Sequence, residues 1–481
     1  MKKFPRLHLR CLLSPLLAVY ACQAAATNGM NMEGYGPIAA AMGGAAMAYD
    51  NGTAAMMNNP ATLGLMPDGS RLDLFFGFLG PDVKTEIGGM QAKSDGTAYY
   101  MPALGWVHKN AGLTCGLGMY GQGGMGTDYA GDTFLGNPAQ LSPSSALENR
   151  SELSVGRIIA PLAFDVNDQL TIGGSLDFVW AGLDLRMAMS DAQFTDLTTP
   201  GQQTLGSASG SLVNAFGGFG LPVNYAYFDF SNGSRFSGVA RGYGGAAKLG
   251  LTYRVNPQLS IGAVYHSETA LGDLTTDDAK ISVNLDNGGT PTPVELSGQI
   301  KVRDFQWPST YGLGLAFQAT DSLKLVADLK RINWADTMQN FTMGFTADQS
   351  AGNDLSGAFG SGADLRGATL DATLYQRWSN QLVYQVGGAY KLNSQLTLRA
   401  GVNYAKNPVP DQYLNALFPA IVTKHVTAGV GYAFDAARTL DLSLQYAPEV
   451  SATNPGNGST LPAVTSRHSQ LNWQFIYSVH F

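Results

Sequence analysis

The nine carboxyl-terminal residues constrain this chain most. Val479, Tyr477, Phe475 and Trp473 recur at every second position back from Phe481, and a two-residue period is that of a strand with one apolar face. Such a strand buries its face against a second sheet in a soluble sandwich, or turns it to lipid in a closed barrel whose other face is small and polar. The opposite end of the chain favours the barrel. Lys2, Lys3, Arg6 and Arg10 precede an apolar run over residues 11–21, and small residues follow at positions 24–26, the pattern of an export signal too short to span a bilayer. Residues 1–26 are therefore expected to be a signal peptide.

Removing that segment takes the net charge from −7 to −11, because it carries four basic and no acidic residues. A chain so acidic is a poor partner for nucleic acid. Of three cysteines only Cys115 remains, which leaves neither a disulfide framework nor a cysteine metal site. No later stretch has 18 consecutive apolar residues, yet 45% of the chain is hydrophobic and only 14% charged. Apolar content spread over many alternating segments is what a barrel requires.

A recurrent unit sets the expected strand number. An aromatic stands six residues before a leucine at Phe164 and Leu170, Tyr253 and Leu259, Phe317 and Leu323, Tyr390 and Leu396, and Phe434 and Leu440, with polar residues between. Each reads as a tight hairpin turn, and Trp106 to Leu113 is a looser sixth copy. Six short turns with both chain ends on their side need seven hairpins closed by longer outer loops. The sequence thus predicts an all-β fold, a 14-stranded antiparallel transmembrane β-barrel over residues 70–481, with outer loops near 130–150 and 190–237. Residues 27–69 have no two-residue period but hold seven methionines and many alanines and glycines. They are expected to form a mostly helical hatch inside the lumen, since such residues are costly to leave in water; a periplasmic tail is the alternative.

The ordered set of Asn59-Pro60-Ala61, the glycine-rich run ending at Asp128-Tyr129, Trp307-Pro308 in the eighth strand, Ala327-Asp328-Leu329-Lys330 with Trp334, and Leu398 to Tyr404 followed by Pro408 and Pro410 resembles the FadL/TodX family of outer-membrane transporters for hydrophobic compounds. The aromatic-hydrocarbon branch is nearest, on Glu33 to Gly36, Leu329-Lys330-Arg331 and Lys424-His425-Val426-Thr427. The resemblance implies uptake of hydrophobic small molecules, monoaromatic hydrocarbons first and long-chain fatty acids as the alternative. It also implies a monomer embedded among outer-membrane lipid and lipopolysaccharide, and an inward kink in the third strand through which ligand leaves sideways.

Six glycines in residues 115–126 suit such a kink, so Gly121, Gly123, Gly124 and Gly126 are the expected lateral opening. Asn59, Pro60 and Ala61 form the hatch motif, with Asn59 and Pro60 expected against the kink. In the long loop, Leu212, Phe216, Phe219, Leu221 and Phe228 are candidates for ligand capture; packing the loop into a cap is their equal alternative. A general diffusion porin is the rival of another class, but porins keep a charge-lined lumen. No catalytic residue, metal site or cofactor is expected: Gly116, Gly118 and Gly121 have dinucleotide-loop spacing without a following helix, and His468 and Ser469 face opposite ways on one strand.

Overall fold

The computed structural model describes residues 28–234, 238–360 and 362–481; the expected signal peptide lies outside them. Strand follows strand around a closed ring. The ring strands are β1 (Gly69–Ile87), β2 (Tyr99–Asn110), β3 (Leu113–Tyr129), β4 (Asn149–Asp165), β5 (Leu170–Ser190), β6 (Val223–Phe230), β7 (Ala240–Arg254) and β8 (Leu259–His266). They continue as β9 (Leu274–Asn287), β10 (Thr310–Gln318), β11 (Leu323–Ile332), β12 (Gln381–Lys391), β13 (Leu396–Ala405), β14 (Lys424–Ala433), β15 (Arg438–Asn454) and β16 (Val464–His480). All pair antiparallel, and β16 returns to β1 from Arg71↔His480 to Glu86↔Thr465.

The expected count of fourteen is corrected to a closed ring of sixteen, with further strands outside it. The extra members are β6 and β9. They enter between the outer ends of β5 and β7, β6 pairing with β5 and β9, and β9 with β7 at Thr275↔Arg241. Nearer the short turns β5 and β7 pair directly, from Leu170↔Tyr253 to Leu183↔Ala240. Counting short turns misses β6 and β9 because neither reaches that end. A second correction concerns residues 294–317, whose pattern reads as one descending strand: Thr290–Arg303 pairs with β9 and with Asn340–Ala347 outside the ring, and β10 starts only at Thr310. Trp307 and Pro308 fall in the break, not in a strand.

The short turns form for a local reason. In four of them the residue three beyond the aromatic turns its side-chain oxygen back to the amides that follow: Asn167 accepts from Gln169 and Leu170, Asn256 from Gln258 and Leu259, Thr320 from Ser322 and Leu323, and Asn393 from Gln395 and Leu396. Such side-chain turns replace the ladder bonds lost at a reversal. The aromatics Phe164, Tyr253, Phe317, Tyr390 and Phe434 all stand on the exposed face, as an interfacial girdle does. Along β16 the two faces separate, with Asn472, Gln474, Ile476 and Ser478 buried towards the lumen while Trp473, Phe475, Tyr477 and Val479 are partly exposed. Leu249 on β7 is 68% exposed. A Leu249→Arg variant is expected to lose about 2–4 kcal/mol of stability, the cost of a cation on a lipid face near mid-membrane, read as a lower urea midpoint in lipid vesicles.

The segment ahead of β1 fills the lumen but is little helical, which corrects the second part of the expectation. It has one helical turn, Pro37–Ala40, and two short 3-10 stretches, Gly52–Met56 and Pro60–Leu65. Several of its backbone donors go to the wall, while others close its own short turns. Gly43 N donates to Thr427 Oγ1 at 3.0 Å, Ala46 and Met47 N to Asp328 Oδ2 at 2.6 and 3.1 Å, and Thr53 N to Asp73 Oδ2 at 2.8 Å. The wall admits the segment closely: a Cβ on Gly262 would stand 1.9 Å from the Met47 carbonyl oxygen. Ala39, Ala40, Ala41, Ala54 and Ala55 are fully buried as a result.

Candidate functional site

The barrel wall parts between β2 and β3. Their pairing runs from Asn110↔Leu113 to Leu104↔Met119 and stops there, leaving Tyr99 to Ala103 paired with β1 alone. On its other side β3 stays with β4, but the register shifts between Gly121 and Gly123. One extra residue on one strand is a bulge, which bends the strand and redirects a side chain. The redirected residue is Gln122, which is buried.

Gln122 is tied to the hatch on both its side chain and its backbone. Its Nε2 donates to Asn31 Oδ1 at 2.8 Å and to Tyr35 Oη at 2.9 Å, while Tyr35 Oη donates to the Gln122 carbonyl at 2.5 Å. Trp307 Nε1 also donates to Asn31 Oδ1, at 2.9 Å, and Gly124 N donates to the Met30 carbonyl at 3.1 Å. Burial pushes the Tyr35 phenol far above its ordinary range, so it remains a donor at any physiological pH. Asn31 and Gly123 bridge as if the hatch were one more strand. A Cβ on Gly123 would stand 2.2 Å from the Met30 carbonyl oxygen, and one on Gly124 2.0 Å from that of Leu153; the hatch and β4 approach β3 as closely as they do because both residues are glycine.

A cavity of about 280 Å³ lies behind this parting. Both lips line it, residues 99–102 of β2 and 119–121 and 123–126 of β3, with Met30, Leu79 and Val155 on its inner side. The lining contains no Lys or Arg among the described residues. Polar side chains line it at several points, Glu33, Glu152 and His468 among them. The Glu33 carboxyl accepts from Asn472 Nδ2 at 3.4 Å, and His468 Nδ1 lies 3.0 Å from the Pro419 carbonyl oxygen.

The structure gathers some of the expected residues and separates others. Gly121, Gly123, Gly124 and Gly126 all line the cavity. Asn59 and Pro60 do not lie against the kink: Asn59 Nδ2 donates to the carbonyls of Met47 and Leu251, its Oδ1 caps Ala61 N, and Pro60 and Ala61 pack over Gly173 of β5. The motif caps a 3-10 turn against β5 and β7, and the residues at the kink are Met30, Asn31 and Tyr35. Of the loop candidates, Leu212 and Phe216 are buried on the helix Ser211–Gly218, and Phe228 is buried on β6. Phe219 and Leu221 are half-buried, Phe219 stacking on Phe359 with centroids 4.6 Å apart. Two signals for the overlooked residues stand in the sequence: Gln122 is the one large polar side chain among the glycines of β3, and Glu33 is the one charged residue between positions 27 and 49.

Comparison with known proteins gives the same neighbourhood. The family described as "Outer membrane protein transport protein (OMPP1/FadL/TodX)" matches residues 16–472. The crystal structure of the toluene transporter TodX of P. putida is 31% identical, with a TM-score of 0.79, over 93% of this chain and 99% of that one. The toluene transporter TbuX of Ralstonia pickettii is 29% identical, with a TM-score of 0.74, over 93% and 99%. A FadL homologue from Pseudomonas aeruginosa, 15% identical with a TM-score of 0.66 over 94% and 99%, shares the fold. A Chlorobium limicola sequence, described as an uncharacterized protein in the phosphoenolpyruvate carboxykinase gene 5' region, is 48% identical over 95 residues, so the chain spans less than half (45%) of that relative's length.

Proposed function

We infer monoaromatic hydrocarbons as the cargo of this chain, which belongs to the OMPP1/FadL/TodX family and is an outer-membrane transporter of hydrophobic compounds, not an enzyme. The observation that carries the cargo reading is the apolar cavity lodged between hatch and parted wall, of a volume suited to a single small ring. The toluene transporters align with this chain over nearly its whole length at 29–31% identity, which supports the same class.

A fatty acid would bring a carboxylate, for which a basic side chain is the usual partner. Five basic residues on strands are committed elsewhere. Lys248 pairs with Asp177, Arg399 with Asp441 and Arg303 with Asp371, while Lys330 donates to the Gly44 carbonyl and Arg331 to Asn333.

The route has three stages. Ligand collects at the outer loops around Phe219 and Leu221, passes into the cavity as the hatch contacts at Asn31 and Gln122 rearrange, and leaves between β2 and β3 into the bilayer. Residues 27–69 act as the hatch and 70–481 as the barrel, in a single copy surrounded by outer-membrane lipid and lipopolysaccharide. An apolar solute gains free energy at each stage by leaving water, so the path needs no energy source beyond its concentration gradient.

Uptake of labelled toluene and labelled oleate, each at limiting concentration, in cells lacking their own carrier tests this. Toluene uptake well above the empty-vector level with oleate at background is expected. Oleate alone would move the cargo to fatty acids, and uptake of a small sugar with neither would replace the carrier by a porin.

A further inference from the structure

The cavity lining includes a buried carboxyl group that a pure hydrocarbon leaves unused. Glu33 is 2% exposed, yet among the described residues no Lys, Arg or His lies within ion-pair distance of it, and its one hydrogen bond is the 3.4 Å contact from Asn472. A carboxyl group kept from water with so little compensation is costly. His468, on the same wall, adds an acceptor. A carbonyl oxygen only accepts, so the nitrogen facing Pro419 carries the ring proton, and Nε2 of the neutral ring is a buried lone pair with no partner. Two lining side chains, Glu33 and His468, thus present acceptor atoms with little or no donor of their own.

Resting on the aromatic reading of the cavity, we propose that Glu33 selects within that class for rings bearing one hydrogen-bond donor, a hydroxyl or an amino group, and against rings bearing a carboxyl group. The ring lies among Tyr100, Met101, Met119 and Val155, and its donor points to the Glu33 carboxyl. A hydroxyl there supplies the bond that the site lacks. A carboxylate there brings a charge into an apolar cavity whose described lining offers no Lys or Arg to pair with it.

Equilibrium dialysis of the full-length protein in detergent micelles, with labelled phenol, anisole, toluene and benzoate, tests this without relying on a variant. Phenol and anisole share the ring and the oxygen, but only phenol donates. Phenol is expected to bind about tenfold more tightly than anisole, the value of a hydrogen bond to a carboxyl group, with benzoate at background. In Glu33→Leu the about tenfold preference for phenol over anisole is lost; in Glu33→Gln, which keeps an acceptor, it is intermediate. Anisole binding as tightly as phenol, or benzoate binding as tightly as either, would overturn the proposal even if Glu33→Leu failed to fold. If toluene and anisole both fail to bind the wild-type protein, it is the aromatic reading itself that fails.

Discussion

Toluene uptake through a Gly123→Leu variant is expected to fall by about tenfold or more while the barrel remains folded, because overpacking a close contact costs roughly 1–3 kcal/mol. A side chain at this position meets the Met30 carbonyl of the hatch at its first carbon, and Trp307 lies 3.2 Å from the same point. The rest of the leucine has only the cavity to enter. It thus both displaces the hatch strand bridged at Asn31 and fills space that ligand needs, at the lip of the parting through which ligand leaves. Because β3 keeps its pairing with β4 on both sides of the bulge, the sheet itself has no reason to open. Heat-dependent migration on denaturing gels reports the folded barrel, and initial uptake rates report transport. A folded Gly123→Leu protein with wild-type uptake would remove the lateral route from consideration.

The second large effect concerns a residue far from the parting. Asp328 on β11 is 6% exposed, and one of its oxygens accepts both amides, from Ala46 and Met47, that hold the middle of the hatch against the wall. Asp328→Ala leaves two buried N–H groups without acceptors, a loss of about 2–5 kcal/mol in hatch docking. Lys330, whose ammonium reaches the nearby Gly44 carbonyl at 3.4 Å, loses the neighbouring negative charge at the same time. The expected result is a hatch that leaves its seat part of the time. Planar bilayers are then expected to show intermittent ion conductance with Asp328→Ala and little with wild type, and Asp328→Asn, which keeps one acceptor, to fall between. A folded Asp328→Ala barrel that stays as silent as wild type would mean that other contacts suffice to hold the hatch.

Much of the wall is legible in the sequence because it obeys local rules. The period of two over residues 473–479 and the aromatic-to-leucine turns each depend on a few neighbouring residues, and those elements stand where the pattern puts them. What escapes is set from a distance. β6 and β9 join the ring through partners across loops of tens of residues, so no short-turn signal announces them. The hatch contains alanine and methionine in amounts that suggest helix, but Asp328, Thr427 and Asp73 take its amides, and Gly36, Gly43 and Gly44, all at positive φ, interrupt what helix remains. Asn59 and Pro60 are conspicuous as a motif and are engaged in a turn cap. Asn31 and Tyr35 are inconspicuous and hold the kink, since their importance comes from Gln122, 91 and 87 positions away.

The anchoring of the hatch also bears on how the molecule can be assembled. The bonds that seat it reach Asp328, 282 residues from Ala46, and Thr427, 386 residues from Ala41, and contacts of such separation form late because loop closure must precede them. The last strand meets the first along a seam of sixteen paired positions, Arg71 to Glu86, immediately after the hatch leaves the lumen. None of the hatch's anchors on β11 and β14 is in place before most of the wall exists. The first part of the chain to be made is therefore among the last to find its place, and it stays without its partners until the strands far behind it have formed.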